Sequence, residues 1–195
     1  MTSPPTIDWE ERYREGSTGW ERPGLNPAFI AWQEMGVLAP CRILVPGAGR
    51  SPEPVALAEA GFDVTAVDGA PSAVAVQRAR FEALRVRATV VEADLLAWEP
   101  DAPFEAIYDQ TCLCALPPSL WPEYVARLRR WLQPSGRLFV LFMQTGHPGG
   151  PPFDCPLTQM RQLFAENAWE WPTLLPERVP HSAGRFEQPA VLVRL

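Results

Sequence analysis

From residue 42 onward, short apolar runs alternate with longer segments of helical periodicity. Arg42-Ile43-Leu44-Val45 ends at Pro46-Gly47 and predicts a first strand. Ser51 can cap a helix that Pro52 starts and Gly61 stops. Residues 64–67 predict a second strand, and Ser72 would cap a helix reaching about Leu84. Residues 88–91 and 104–108 predict strands three and four. A helix is expected over residues 118–132, with Tyr124, Leu128, Trp131 and Leu132 on one side, then a turn at Pro134-Ser135-Gly136. Residues 137–143 are apolar nearly throughout, which predicts a central strand buried on both faces. Thr158 opens a helix to about Asn167. Two last strands follow near 170–175 and 190–195.

Strands alternating with helices imply a parallel sheet with helices on both faces. The final pair has no helix of normal length between its strands, so it fits an antiparallel hairpin at the edge. The expected fold is α/β and doubly wound (Rossmann-like): a seven-stranded, mostly parallel sheet, an antiparallel C-terminal edge hairpin and an N-terminal helical lid. Residues 1–40 supply that lid. They carry Trp9, Tyr13 and Trp20, and Gly16, Gly19, Pro23, Gly24 and Pro27 interrupt them. Asn26-Pro27 can start a helix ending at Met35, with Gly36 closing it. Residues 144–156, rich in Gly and Pro, read as a stiff loop and not a linker. No repeats occur, so residues 1–195 are expected to form one domain.

Composition narrows the partners. At 195 residues and 47% hydrophobic, the chain can bury a real core. No apolar run approaches the roughly 20 residues of a membrane span, and the first residues lack a signal-peptide core. A cytoplasmic protein with no membrane partner is expected. The net charge of −6 argues against nucleic acid, so the expected partner is a small molecule, met by a monomer. All 17 basic residues are arginine, which removes Schiff-base, P-loop and Tyr–Lys dehydrogenase chemistry. Cys41, Cys112, Cys114 and Cys155 form no Cys-x-x-Cys pair, and His147 and His181 are the sole histidines, so no metal site is expected.

Ligands of such sheets bind at the carboxyl ends of the strands. Gly47-Ala48-Gly49 lies there, between strand and helix, where glycine lets a ligand approach the backbone closely. Asp68, 21 positions after Gly47, ends strand two and can accept from both hydroxyls of a ribose. Alone, Asp68-Gly69 reads equally well as a turn; beside the glycine loop the ribose role gains. After strand three, Asp94 can accept from an adenine amine while Leu95 N–H donates to the ring, or Asp94 can simply cap the next turn. Asp109-Gln110-Thr111 follows strand four, beside the expected reaction centre.

A nicotinamide dehydrogenase would want glycine or alanine where Pro52 stands, and a lysine the chain lacks. The residues instead resemble the thiopurine methyltransferase superfamily, most closely its halide and thiol methyltransferase branch. The resemblance rests on Trp9-Glu10-Glu11-Arg12-Tyr13, Gly16 to Glu21, Ile43 to Gly49, Tyr108-Asp109, Cys114 to Pro118, Gly149 to Phe153 and Gly184-Arg185-Phe186, in order along nearly the whole chain. It implies S-adenosyl-L-methionine as cofactor. Trp9, Tyr13 and Trp20 would form a lid, and a sulfonium is attracted to such aromatic faces. Gly47 and Gly49 would pass the methionine part, Asp68 the ribose, and Asp94 and Leu95 the adenine. Gln110 would contact the cofactor or orient the acceptor, and Asp109, Cys114 and Phe153 would line the acceptor. The branch has tyrosine where this chain has Gln110, and thiopurine enzymes carry arginine near Trp121, so the acceptor does not transfer with the family. Pro151-Pro152-Phe153 follows strand five and not strand four, which disfavours a DNA-base methylase. A small thiol or similar soft nucleophile is the expected acceptor. A module that binds the cofactor without catalysis, and an oxidoreductase, are the other classes.

Overall fold

Strand β1 (Arg42–Pro46) is buried from Ile43 to Pro46, as a strand covered on both faces must be. A computed structural model describes residues 7–195; the first six positions of the expected lid lie outside the described residues. Around β1 the chain lays down α1 (Trp9–Arg14), α2 (Pro27–Glu34), α3 (Glu53–Glu59), β2 (Asp63–Asp68), α4 (Pro71–Leu84), β3 (Thr89–Glu92) and β4 (Phe104–Gln110). Then come α5 (Trp121–Trp131), β5 (Leu132–Gln144), α6 (Leu157–Leu163), β6 (Trp169–Glu170), β7 (Val179–Pro180) and β8 (Phe186–Arg194). The sheet order is β3-β2-β1-β4-β5-β8-β6, with β7 also paired to β8. The first five strands of that order run parallel, and β8 is antiparallel to its neighbours.

The doubly wound α/β expectation holds, with eight strands in place of seven. The additional strand, β7, is two residues ending in proline, too short to leave a period. The last strand is not outermost: β8 pairs with β5 on one edge and with β6 and β7 on the other. Strand β6 stops at Glu170, and Trp171 turns its indole N–H to the Phe164 carbonyl. The turn expected at 134–136 is a bulge within β5. Ser135 adopts φ 62 there, and the pairing with β4 shifts between Phe104 and Ala106.

Two helix caps also differ. Helix α3 starts at Glu53 with Pro52 before it, and Ser51 makes no cap. Ser72 lies inside α4, whose start is set by Pro71, and its backbone and hydroxyl both turn to Glu10. Asn26 does cap α2, its side chain accepting from the Ala28 N–H.

The period of two in β5 sorts its side chains into two cores. Leu138, Val140 and Phe142 pack with Trp121, Tyr124 and Leu128 of α5. Phe139 and Leu141 pack with Phe29 and Trp32 of α2 and Leu57 of α3. Helix α5 buries Trp121, Tyr124, Val125, Leu128 and Trp131, the spacing of one helical face, and Arg127 and Arg130 on its outer side pair with Glu99. No described helix is long and apolar enough to cross a membrane.

Candidate active site

The order β2-β1-β4 marks the switch point: the chain winds outward from β1 to β3, then returns to β4 on the other side of β1. A cleft of about 640 Å³ opens over the carboxyl ends of these strands. That volume suits a nucleotide-sized ligand with a small partner.

Two glycines shape its floor. Gly47 has φ +56, and a Cβ there would stand 2.8 Å from Cys112 Sγ. Gly49 has φ +53, and its Cβ would stand 2.8 Å from the Tyr13 hydroxyl. Both positions need a left-handed backbone and have no room for a side chain, so the turn after β4 and the lid close directly onto this loop. Asp68 holds the loop from beside it. Its Oδ2 accepts from Gly49 N–H at 2.7 Å and its Oδ1 from Ala70 N–H at 2.8 Å. Burial raises its pKa above the usual carboxylate value, against the pull of those backbone donors. Each oxygen keeps a second lone pair for a ligand donor. Asp94 Oδ1 accepts from Leu96 N–H, so it does cap its turn; the residue is exposed and, with Leu95, lines the same cleft.

The lid is closed over this floor. Trp20 packs edge-on against both Trp9 and Tyr13, at 5.3 and 5.6 Å. The Arg50 guanidinium lies 4.4 Å over the Tyr13 ring. Glu10 ties α1 to α4 through Ser72 N–H and Oγ at 2.9 and 2.7 Å, and these bonds with Arg14 hold its carboxyl below its ordinary pKa.

Beyond β1, the end of β4 divides its residues between the two faces. Gln110 lines the cleft. Asp109 does not: it is 1% exposed and turned under α5. It accepts from Cys112 and Leu113 N–H and from the Tyr124 hydroxyl, so it fixes the turn and touches no cleft. Burial pushes its pKa up to about 6. The acceptor role expected of Asp109 is therefore corrected. Phe153 is corrected too: it packs against the α5 core and borders a separate shallow groove with the exposed His147. Cys114 does line the cleft, but it is buried, its thiol donates to Thr111 O at 3.3 Å, and burial raises its pKa far from the thiolate range. All nine residues expected at the cofactor line the cleft: Trp9, Tyr13, Trp20, Gly47, Gly49, Asp68, Asp94, Leu95 and Gln110.

The apolar end of the cleft is formed by Leu116, Pro117 and Leu120 after β4, Met143 in β5, and Pro151 and Pro152 after β5; four of these lie in the segments that carry the resemblance, but their part in the cleft is not apparent from the sequence. Glu10, Arg50 and the buried Glu53 were likewise missed. Ordinary charged residues carry no motif, and their partners lie far along the chain. Glu53 is fully buried at the cleft wall, with Oε1 accepting from Asn26 N–H and Oε2 without a hydrogen-bond partner among the described residues. The glycine cradle, the carboxylates and the aromatic lid together fit a nucleoside-bearing cation.

Residues 6–191 match the family model described as thiopurine S-methyltransferase. The chain is 29% identical to the probable thiol methyltransferase 2 of Arabidopsis thaliana, over 83% of this chain and 73% of that protein. It is 30% identical to thiocyanate methyltransferase 1 of Brassica oleracea, over 77% and 69%. It is 31% identical to a thiopurine S-methyltransferase of Stutzerimonas stutzeri (strain A1501), over 74% and 68%. In fold it resembles the 1,6-didemethyltoxoflavin-N1-methyltransferase of Burkholderia thailandensis, solved with 1,6-didemethyltoxoflavin and S-adenosylhomocysteine. That match has a TM-score of 0.76 at 21% identity, over 100% of this chain and 92% of that one.

Proposed function

We propose, from the premise that this chain belongs to the thiopurine S-methyltransferase family, that its cleft methylates a small soft nucleophile, a thiol or close relative. The family makes it an S-adenosylmethionine-dependent methyltransferase of small-molecule acceptors. The cofactor supplies a methyl group on a positively charged sulfur, already activated for displacement. What is left to the protein is binding, orientation and exclusion of water. Gly47 and Gly49 would pass the amino-acid part, Asp68 the ribose, and Asp94 with the Leu95 N–H the adenine. Trp9, Tyr13 and Trp20 would cover the charged sulfur.

The observation that carries the acceptor class is the make-up of the cleft: among the described residues no histidine lines it, the chain has no lysine, and Leu116, Pro117, Leu120, Met143, Pro151 and Pro152 at its acceptor end carry no titratable group. Its acceptor end is apolar. An alcohol or amide would need a base there. A thiol with a pKa near 8.5 is a few per cent thiolate at neutral pH and needs none. Four free thiols fit a reducing compartment, so we place the protein in the cytoplasm, acting as a monomer on small molecules and not on nucleic acid.

Calorimetry with S-adenosylmethionine and with NADH tests the cofactor. Binding of the first alone is expected, and binding of NADH alone overturns the reading. Asp68→Ala should weaken S-adenosylhomocysteine by about 2–4 kcal/mol, since it removes charge-assisted hydrogen bonds. Turnover of a series of thiols should rise with pH toward each thiol's own pKa. A profile that follows one enzyme group and is the same for every thiol would show that a base is used.

A further inference from the structure

Gln110 stands where the halide and thiol branch has tyrosine, and its amide can present either two donors or an acceptor to the cleft. Which one it presents is decided by Tyr108. The two residues are two apart on β4, so their side chains leave the same face of the sheet. The Tyr108 hydroxyl lies 2.6 Å from Gln110 Oε1 and has no other hydrogen-bond partner among the described residues. Tyr108 is fully buried, and Phe29 and Trp32 hold its ring edge-on at 5.4 and 6.3 Å.

A buried phenol has one proton that must find an acceptor, while its own lone pairs can stay idle at smaller cost. Were the Gln110 amide turned over, its NH₂ would face the phenol and the phenolic proton would have no acceptor. Tyr108 therefore donates, Gln110 Oε1 accepts, and Gln110 Nε2 is left over. That nitrogen donates to nothing among the described residues, yet it is not among the enclosed polar atoms without partners. It is open to the cleft that Gln110 lines.

Donors facing the cleft repel an ammonium group and attract an anion. Two anions could use them: the nucleophile of the methyl acceptor or the carboxylate of the cofactor. Strand order favours the nucleophile. Gln110 lies at the tip of β4, on the far side of β1 from Asp68 and Asp94, and the apolar group Leu116, Pro117 and Leu120 follows it in the chain.

We infer that Tyr108 is a positioning residue: it fixes Gln110 as a hydrogen-bond donor, and the Gln110 Nε2 group holds the anionic nucleophile, a thiolate, of the acceptor. This rests on the cleft being the methyl-transfer site proposed above. The test is binding, with thiophenolate as probe, to protein saturated with S-adenosylhomocysteine so that no turnover intervenes. Wild type should bind both. Gln110→Ala should weaken thiophenolate about tenfold or more, the loss expected of a hydrogen bond to a charged group, and leave S-adenosylhomocysteine within about twofold. Gln110→Glu should abolish thiophenolate binding by repulsion. Tyr108→Phe keeps the ring and frees the amide to turn, so thiophenolate should weaken at least about threefold with S-adenosylhomocysteine affinity unchanged. A purely structural loss would weaken both ligands together.

Loss of S-adenosylhomocysteine affinity in Gln110→Ala with thiophenolate unchanged would assign the donors to the cofactor and overturn the inference. So would a Tyr108→Phe protein that binds thiophenolate as wild type does, or a saturated wild type that ignores thiophenolate. A wild type that fails to bind S-adenosylhomocysteine at all overturns the proposed function itself.

Discussion

Asp109 and Gln110 are neighbours in the chain and face opposite sides of the sheet, and that divides their chemistry. Asp109 lies under α5 in a shell of three donors, with burial the largest influence on it. Its folded pKa of about 6 stands above the ordinary 3.8, so between those values the folded state keeps a proton that the unfolded chain has lost. Stability then falls as pH rises from about 4 to about 6 and levels off above. Asp109→Asn keeps an acceptor for the amides and removes the charge. Across that window, denaturant titrations should show wild type losing about 3 kcal/mol relative to Asp109→Asn. Parallel pH dependences would refute this. The glycines act by shape. Gly49→Ala meets both a left-handed φ and the Tyr13 hydroxyl, and should weaken S-adenosylhomocysteine. Tyr13→Phe removes the oxygen it strikes, so Gly49→Ala should cost less in that background. The glycines and Asp68 were legible in the sequence because their chemistry needs a fixed place between strand and helix. The face taken by Asp109 was not, because a one-residue step in a strand inverts it and nothing local reports the register.

Among the elements, the parallel strands were readable because strands buried on both faces have no polar positions to blur them. The caps of α3 and α4 depart from the sequence expectation because proline sits at both starts, and because Ser72, inside α4, has a distant partner. That partner, Glu10, is what docks the lid: it reaches Ser72 from a helix of six residues that could not stand alone. Glu10→Ala should therefore loosen α1 without unfolding the sheet. Trypsin should then cut faster at Arg14, which is exposed, and S-adenosylhomocysteine should slow that cutting in wild type. Arg22 should behave differently from Arg14. Its guanidinium is tied to Pro180 O and Glu187, so cleavage there should stay slow with or without ligand. Equal, ligand-independent cutting at both arginines would mean that the lid has no separate hinge.

At the scale of the whole molecule, the lid segment and the last strand are joined by a buried polar network. Arg22 donates to Glu187 Oε2 at 2.7 Å, and Asn26 Nδ2 donates to the same oxygen at 2.8 Å. Asn26 N–H in turn meets Glu53 at the start of α3. Both glutamates are fully buried, burial raises both pKa values, and among the described residues Arg22 is the one guanidinium hydrogen-bonded to either. The contacts span 165 residues of sequence, which is why no motif announces them. Removing Arg22 leaves Glu187 buried with its charge uncompensated, so Arg22→Ala should destabilise the fold by about 3–5 kcal/mol at neutral pH. The sign with pH follows from the same charge. Arg22 lowers the Glu187 pKa, so without it the folded value rises further, and stability in Arg22→Ala should decline more steeply than in wild type as pH rises above the ordinary carboxylate range. Glu187→Gln still offers an oxygen to Asn26 and carries no charge. Adding it to Arg22→Ala should restore much of the loss and flatten the pH dependence. If the two substitutions cost the same separately as together, the network is a set of independent hydrogen bonds and not one charge-compensated unit.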